Sequence, residues 1–414
     1  MDREILHSDC NSFYASVELL YHPELRHRPM SVGGDVEERH GIILASSPEA
    51  KQYGVKTGEA IWQAKKKCPE LTVIPPNYER YIRYSGMTRE IYSDYTDRVE
   101  PFGLDECWLD VSGESGADIA QRIRKRIKSE LGITVSVGAS FNKVFAKLGS
   151  DYKKPDAVTV ISRDNFKDIV FPLPVCDLLY VGRATNRKLT EMGIKTIGDL
   201  ACFPKELLVA KFGKWGNVLH AFSNGEDNSP VEYYVNKQQV KSVGNSTTTP
   251  RDLVNEEDVK IVLMVLAESV SRRLREKGLV GRVVAVSVRS SRLYWFTHQR
   301  KLSNHTALTY DIMSTAMELF RESYSWNEPI RSLGISVSDL APWPEFEQES
   351  MFDDEIRHQK RERVELAAYD IRRKFGTYGV QPAILLKDSY LSGFDPKRNH
   401  KAHPVGYFKE KIEL

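Results

Sequence analysis

The chain is poor in what marks a secreted, zinc-stapled or membrane protein. Its 414 residues hold five cysteines (Cys10, Cys68, Cys107, Cys176, Cys202), scattered with no short paired spacing. That argues against a zinc site and a disulfide framework and fits a reducing interior. No run is long or apolar enough to span a bilayer. The N-terminus lacks a basic-then-apolar leader. A cytoplasmic protein with no membrane partner is therefore expected. Net charge is nearly absent: 59 Lys and Arg face 57 Asp and Glu. There is no internal repeat and no low-complexity tract. The length is too great for one core and implies roughly two to four domains.

Against this background two acidic segments stand out: His7-Ser8-Asp9-Cys10-Asn11-Ser12-Phe13-Tyr14 and Gly103-Leu104-Asp105-Glu106-Cys107-Trp108-Leu109-Asp110. Each puts carboxylate where an apolar strand ends or turns. Singly, such acids are most simply turn and cap residues. An Asp-Glu pair inside an apolar run, however, is costly to bury without cations. Asp9, Asp105 and Glu106, with the Cys10 carbonyl at the strand exit, make a donor set for two magnesium ions. Such a pair does phosphoryl or nucleotidyl transfer. Asp110 is the runner-up acid, placed beyond the hairpin.

The surrounding pattern is α/β. Ile5 to His7 reads as a strand, and Asn11 or Ser12 caps a helix from Phe13 to Leu20. Pro29 to Gly34 reads as a break and Ile42 to Leu44 as a buried strand. Short helices follow at 49–53 and 61–68, and a tyrosine-rich one from Tyr78 to Tyr95. Val99 to Val111 is strand, bend and strand. Ile119, Ile123, Ile127 and Leu131 recur every four residues between basic ones, the pattern of an amphipathic helix. Ile133 to Val137 is a strand. Together they suggest a ferredoxin-like or palm-like sheet.

Beyond Phe171 the chain turns helical and short-looped. Gly182-Arg183 opens one helix, and Gly193 turns into the next. Two readings stand level: a helix-hairpin-helix whose glycines let backbone amides approach a DNA phosphate, or a plain αα-hairpin. After a linker, Lys241 to Leu340 reads as strand, helix, two strands, helix and strand. From Arg272 to Lys301 there are nine Lys/Arg and one acid, Glu276. Lys241, Arg282 and Arg289 are the candidates there for DNA-backbone contact, with a solvated basic surface as the bland alternative. Arg292 and Arg300 lie beside the same strands. The tail from Pro342 holds a charged helix stopped by Gly376 and ends in polar residues.

Four ordered motifs now carry a resemblance: DCNSFYASVE (9–18), EPFGLDECWLD (100–110), VGASFNKVFAK with Lys154-Pro155, and GIKTIGDL (193–200). From about Arg3 to Leu340 the chain resembles the Y-family DNA polymerases, the translesion class with polymerase IV and UmuC-type branches. The resemblance implies an α+β multidomain right hand. The palm, a ferredoxin-like sheet, would be 1–11 and 77–170, and the small fingers 12–76. A helix-hairpin-helix thumb would be 171–232, followed by a linker (233–240), an α/β little finger (241–340) and a tail (341–414). It implies low-fidelity synthesis past damaged bases with two Mg²⁺ ions, no proofreading, and a primer-template and dNTP as partners of a monomer.

By position, Asp9 and Asp105 would bind metal and Glu106 would be the third carboxylate. Tyr14 would be the steric gate against a 2′-hydroxyl, with Phe13 lining the same pocket. Lys154 would hold the triphosphate. The fingers depart from the polymerase IV pattern: Pro48 and Lys51 stand where it has Tyr and Arg, a spelling closer to the UmuC-type branch. Lys51 lacks arginine's bidentate fork, and Ser46 or Ser47 is expected to replace part of the lost hydrogen bonding. Asn11 replaces a second acid that the family does not need. Gln348, Met351 and Phe352 resemble a sliding-clamp-binding peptide. The competing reading is a UmuC-like DNA-binding scaffold that is inactive or needs a partner subunit.

Overall fold

The computed structural model describes residues 3–34, 41–233, 240–343, 355–376 and 378–394. They form two compact units, one of residues 3–34 with 42–233, the other within 240–394.

The first unit begins with strand β1 (Ile5–Cys10) and helix α1 (Phe13–Tyr21). Strands β2 (Met30–Gly33) and β3 (Ile43–Ser46), helices α2 (Pro48–Gln52) and α3 (Ile61–Lys67) and strand β4 (Thr72–Ile74) follow. The β2, β3 and β4 strands make a small sheet in the order β3-β2-β4. Residues 29–34, expected as a break, thus hold a strand. Pro29 closes the preceding turn, and Met30 and Val32 bury completely between β3 and β4. Four residues with one proline are too short for periodicity to register.

Helix α4 (Tyr78–Ser93), strands β5 (Val99–Pro101) and β6 (Glu106–Asp110), helix α5 (Gly116–Leu131), strand β7 (Val135–Ser140), helix α6 (Lys143–Tyr152) and strand β8 (Val158–Ile161) complete a five-stranded sheet. Its order is β5-β6-β1-β7-β8, antiparallel except for β7 with β8. The expected amphipathic helix is α5, with Ile119, Ile123 and Ile127 buried and Leu131 nearly so. Alternation along β1 divides the faces. Leu6 and Cys10 join the core with α4 and α5, whereas Ile5 packs with Trp108 and Ala146 toward α6. The α6 backbone crosses so close over β7 that a Cβ on Gly138 would collide with the Ala146 carbonyl and the Ser150 amide. Glycine there sets the distance between helix and sheet.

Five short helices follow in turn: α7 (Phe166–Val170), α8 (Arg183–Glu191), α9 (Ile197–Cys202), α10 (Lys205–Phe212) and α11 (Lys214–Ser223), with a 3-10 turn at Val175–Asp177. Leu189, Ile194, Ile197, Leu200 and Leu208 close a core with Phe145 and Leu148 of α6.

The second unit runs β9 (Ser242–Leu253), α12 (Glu256–Glu276), β10 (Leu279–Ser290), β11 (Trp295–Thr306), α13 (Thr309–Ser323) and β12 (Ile330–Pro342). Its antiparallel sheet has the order β11-β10-β12-β9. Val284, Val286, Val288, Leu333, Ile335 and Val337 face the two helices. The residues between them on the strands, such as Ser287, Arg289, Ser336 and Thr297, belong to the opposite face. The polar tail is better built than its composition suggests. Helix α14 (Glu355–Phe375) ends at Gly376, whose φ is 91°. Beyond it a short helix, α15 (Ser389–Ser392), and a 3-10 turn at Ala383–Leu386 bring Leu385 and Leu391 into the second unit's core.

Candidate active site

Strand pairing assembles the acids. Asp9 and Glu106 are register partners across β1 and β6, so their side chains share the face covered by α6. The Cys10 amide donates to the Asp105 carbonyl at 3.0 Å, which ties the turn before β6 to the exit of β1. Asp110 pairs with Ile5 at the far end, four residues or about 13 Å away along the strand. It caps its own turn through the Ser112 amide and hydroxyl.

Basic groups close over these acids. Lys154 Nζ donates to Asp9 Oδ2 at 2.6 Å and pairs with Asp151 at 2.7 Å. Lys147 Nζ donates to Glu106 Oε2 at 2.7 Å. His7, fully buried, shares a hydrogen bond of 2.8 Å with Ser150 Oγ through Nδ1, and its Nε2 lies 3.4 Å from Glu106 Oε2. Burial pushes the Asp9 carboxyl up to about 7 against the pull of Lys154, and the charges of Glu106 and Asp105 add to the rise. Burial, then Glu106, raises Asp105 to about 6. Burial would raise Glu106 too, but His7 and Lys147 outweigh it and hold it at about 2. Burial lowers His7 to about 4, so its imidazole is neutral at pH 7.

The donor set fits hard divalent cations. Asp9 and Glu106 sit opposite each other on paired strands, Asp105 lies in the turn before β6, and Asp9 and Asp105 resist ionisation in the protein alone. Among the described residues no three His, Cys, Asp or Glu side chains close on a single point. Each of the two paired acids has a lysine instead, Lys154 at Asp9 and Lys147 at Glu106.

The nucleotide candidates lie around the same edge. Ser12 stands at the N-cap of α1 but in the left-handed conformation (φ 48°), and its hydroxyl makes no cap. It accepts from Lys51 Nζ at 2.7 Å instead. Burial, then the charge of nearby Lys154, lowers Lys51. Two lysines, one from α2 and one from beyond α6, therefore gather beside Asp9. Phe13 is buried in the core. Tyr14 is half-buried and stacks on Tyr81 at 4.2 Å between centroids and 11° between planes, with Tyr78 edge-on at 6.0 Å. The Asn77 amide donates to Tyr81 Oη at 3.0 Å and fixes the lower ring.

Ser46 and Ser47 are placed differently from the other candidates. Ser47 is fully buried, and its Oγ caps α2 by accepting from the Ala50 amide at 3.3 Å. Ser46 is likewise buried, bonded to Ser31 Oγ at 2.8 Å. Ser47 is thus the N-cap before Pro48 at the first position of α2, and both hydroxyls are bonded within the protein. Sequence reasoning in turn missed His7, Lys147 and Tyr81. Lys147 alone carried a signal, lying seven residues before Lys154 in the same motif.

The DNA-binding candidates divide between the units. Gly182 is the N-cap of α8 with no side-chain cap, and Arg183 is exposed at its first position. Gly193 turns with φ 83° toward the capping box of Thr196 and Asp199 that starts α9. In the second unit Lys241 is exposed and Arg289 half-buried beside Trp295 across the β10–β11 pair. Arg282 is tied to Asp339 at 2.8 Å, Arg292 to Glu328 at 3.3 Å, and Arg300 to Glu318 and Glu322. Gln348, Met351 and Phe352 lie outside the described residues.

Comparison with known proteins agrees with this architecture. The impB/mucB/samB family model matches residues 8–151, its C-terminal domain model 240–351, and a DNA polymerase-iota thumb domain model 177–227. The chain is 51% identical over 397 residues to a DNA polymerase IV of Acetivibrio thermocellus, covering 95% of this chain and 100% of that one. The chain belongs to the Y-family DNA polymerases. DNA polymerase IV of Clostridium acetobutylicum is 37% identical, over 94% of this chain and 99% of the relative. DNA polymerase IV 1 of Bacillus subtilis is 37% identical, over 93% and 94%. A Y-family DNA polymerase chimera of solved structure superposes with a TM-score of 0.74 at 22% identity, covering 82% of this chain and 99% of that one. The fold is the α+β right-hand polymerase of this family, whose members use divalent metal ions. No helix among the described residues is long and apolar enough to cross a membrane.

Proposed function

We propose that the chain is a template-directed DNA polymerase of the translesion class, extending a primer with dNTPs past damaged bases at low fidelity and without proofreading. The observation that carries this is the pairing of Asp9 with Glu106 across two strands, with Asp105 tied to the same strand exit and lysines on the outer side. We assign the palm to 1–11 and 77–170, fingers to 12–76, thumb to 171–232 and little finger to 241–340. Family membership under the name DNA polymerase IV and the intact acids favour the enzyme over a scaffold.

Asp9, Asp105, Glu106 and the Cys10 carbonyl would hold two ions, magnesium by the hardness of the donors. When bound, the ions supply the charge that lowers the pKa of the primer hydroxyl and balances the leaving pyrophosphate. Lys154 exchanges its bond to Asp9 for triphosphate oxygens, and Lys51 adds a second positive charge beside it. The Phe13 amide faces the triphosphate, while its ring supports the pocket floor. The Tyr14 ring, held flat by Tyr81, leaves no room beneath the sugar for a 2′-hydroxyl. Gly182, Arg183 and Gly193 contact the duplex backbone from the thumb, and Lys241, Arg282 and Arg289 from the little finger. The enzyme acts as a monomer and engages a sliding clamp through Gln348, Met351 and Phe352. Deleting 348–352 should abolish stimulation by the clamp and spare basal synthesis.

Primer extension past a defined abasic site with Mg²⁺ tests the reading. Asp105→Ala or Glu106→Ala should cost several kcal/mol of transition-state stabilisation, at least ~10³-fold in rate, with DNA binding kept. Retained extension in either variant removes the metal assignment. A parent protein that binds DNA but never extends it would support the scaffold.

A further inference from the structure

Helix α4 carries a buried polar seam. Ser85, Arg89 and Tyr92 follow one another at i, i+4 and i+7, so they lie along one face. All three are at most 1% exposed. Each bonds to a segment bearing a metal-site acid. The Ser85 hydroxyl donates to the Leu104 carbonyl. Arg89 NH2 donates to the Gly103 carbonyl at 2.6 Å. The Tyr92 hydroxyl donates to Ser8 Oγ at 2.9 Å. Leu104 and Gly103 are the two residues before Asp105, and Ser8 is the residue before Asp9.

A buried guanidinium is expensive, because ordering it means removing a full charge from water. A purely structural helix-to-sheet contact would be made more cheaply with a leucine. The location of the seam gives the expense a purpose. The turn it grips is compact: a Cβ on Gly103 would come within 3.4 Å of Asp105 Oδ1. Any slackening of the Gly103 and Leu104 carbonyls therefore moves the Asp105 carboxylate relative to β1. Ser8, bonded at the other end of the seam, anchors that same strand.

We propose that Ser85, Arg89 and Tyr92 are positioning residues that hold the Asp105 turn against β1 at the separation the divalent ions require. They touch neither substrate nor ion; they act through the backbone of the acids' neighbours. The proposal rests on the reading of Asp9, Asp105 and Glu106 as metal ligands.

The test uses the full-length chain bound to primer-template DNA, with two independent readouts. Mn²⁺ affinity is measured directly by electron paramagnetic resonance, and single-turnover insertion gives the rate and the dNTP dependence separately. Arg89→Met keeps the volume and removes the donors. It should weaken Mn²⁺ binding and slow insertion by about 10–100-fold, the usual effect of losing a partner that orients a ligand, while DNA affinity and dNTP half-saturation stay at the parent values. Arg89→Lys, whose ammonium still reaches the Gly103 carbonyl, should recover part of both losses. A folded Arg89→Met with parent ion affinity and rate overturns the proposal. Should Arg89→Met not fold, Tyr92→Phe decides: it deletes one hydroxyl, and unchanged ion binding in it overturns the seam. Asp105→Ala separates the two levels. Ion binding lost there but intact in the seam variants sinks the seam alone; ion binding that survives Asp105→Ala sinks the metal reading and the seam with it.

Discussion

Asp9 has an ionisation problem that its neighbours only half solve. Its carboxyl is held up to about 7 from an ordinary value of 3.8, chiefly by burial. Below about pH 4 the folded and unfolded chains both keep that proton, and the group is neutral to stability. Between about 4 and 7 the unfolded chain releases it and the folded one does not, so metal-free stability falls as pH rises. Asp105 adds the same sign up to about 6. Glu106 runs the other way: its stabilising share is present above its ordinary 4.5 and is lost as pH falls toward 2. Asp9→Asn, which cannot ionise, should therefore stabilise the metal-free protein at pH 8 by on the order of 1–3 kcal/mol, with the gain gone at pH 4. Calorimetric melts in a chelator at both pH values check this, and an equal midpoint at pH 8 would refute it. The same variant should lose extension, a trade of stability for function. Tyr14 makes a second, sharper case. Tyr14→Ala removes the ring from above Tyr81 and should raise ribonucleotide incorporation by about 10-fold or more, a discrimination of 1–3 kcal/mol being typical of a small steric difference. Unchanged sugar selection in competitive single-nucleotide insertion would strip Tyr14 of the role.

Helices and strands differ in how plainly they announce themselves. Ile119, Ile123, Ile127 and Leu131 of α5 repeat every four residues over about three turns, and the helix was legible from them alone. Strand β2 was not, because Met30 to Gly33 is brief and bounded by Pro29; its identity comes from pairing with β3 and β4. Helix α6 shows a third case. Its motif was visible, but nothing local indicates that its backbone would lie against Gly138 and so deliver Lys147 to Glu106. The packing of the tail was not legible for a similar reason. Its composition is polar, yet Leu385 and Leu391 drop into the second unit's core, Arg372 pairs with Glu268 at 2.5 Å, and Glu365 accepts from the Thr309 amide at the start of α13. A carboxylate at a helix N-terminus stabilises it through the exposed amides. Leu391→Ala should then cost about 2–5 kcal/mol, the range for emptying a buried leucine site. Denaturant melts of the second unit's signal, with Leu386→Ala at an exposed neighbouring position as the control, measure it. A loss no larger than the control's would mean the tail is merely laid on the surface.

Two units divide the labour, and charge follows the division. Although the whole chain is nearly neutral, basic residues crowd the stretch from Arg272 to Lys301. The ion pairs of Arg282, Arg292 and Arg300 temper that crowd, which leaves Arg289 within it and Lys241 before β9 as the most available cations among those singled out for DNA. Phosphate contacts by such residues are indifferent to base sequence and sensitive to salt. Lys241→Ala and Arg289→Ala should each weaken binding about equally across primer-templates of different sequence and reduce the salt slope of log affinity by about 1. Fluorescence anisotropy over a salt series reads this, and a sequence-dependent loss with an unchanged slope would contradict it.

The candidate acids were legible in the linear order because they sit at strand ends, and Tyr14 and Lys154 were singled out by the family motifs that hold them. The family's right-hand fold could be named from the same runs. Partners separated by long loops could not. The bond of Lys154 to Asp9 spans 145 positions, and that of Tyr92 to Ser8 spans 84. No periodicity encodes such contacts. Strand register and the close crossing of helices create them, and with them the burial that raises Asp9 and Asp105 and the bonds that hold Glu106 down. Which residues are candidates for the chemistry is written locally; how their charges are balanced depends on the surfaces that folding brings together.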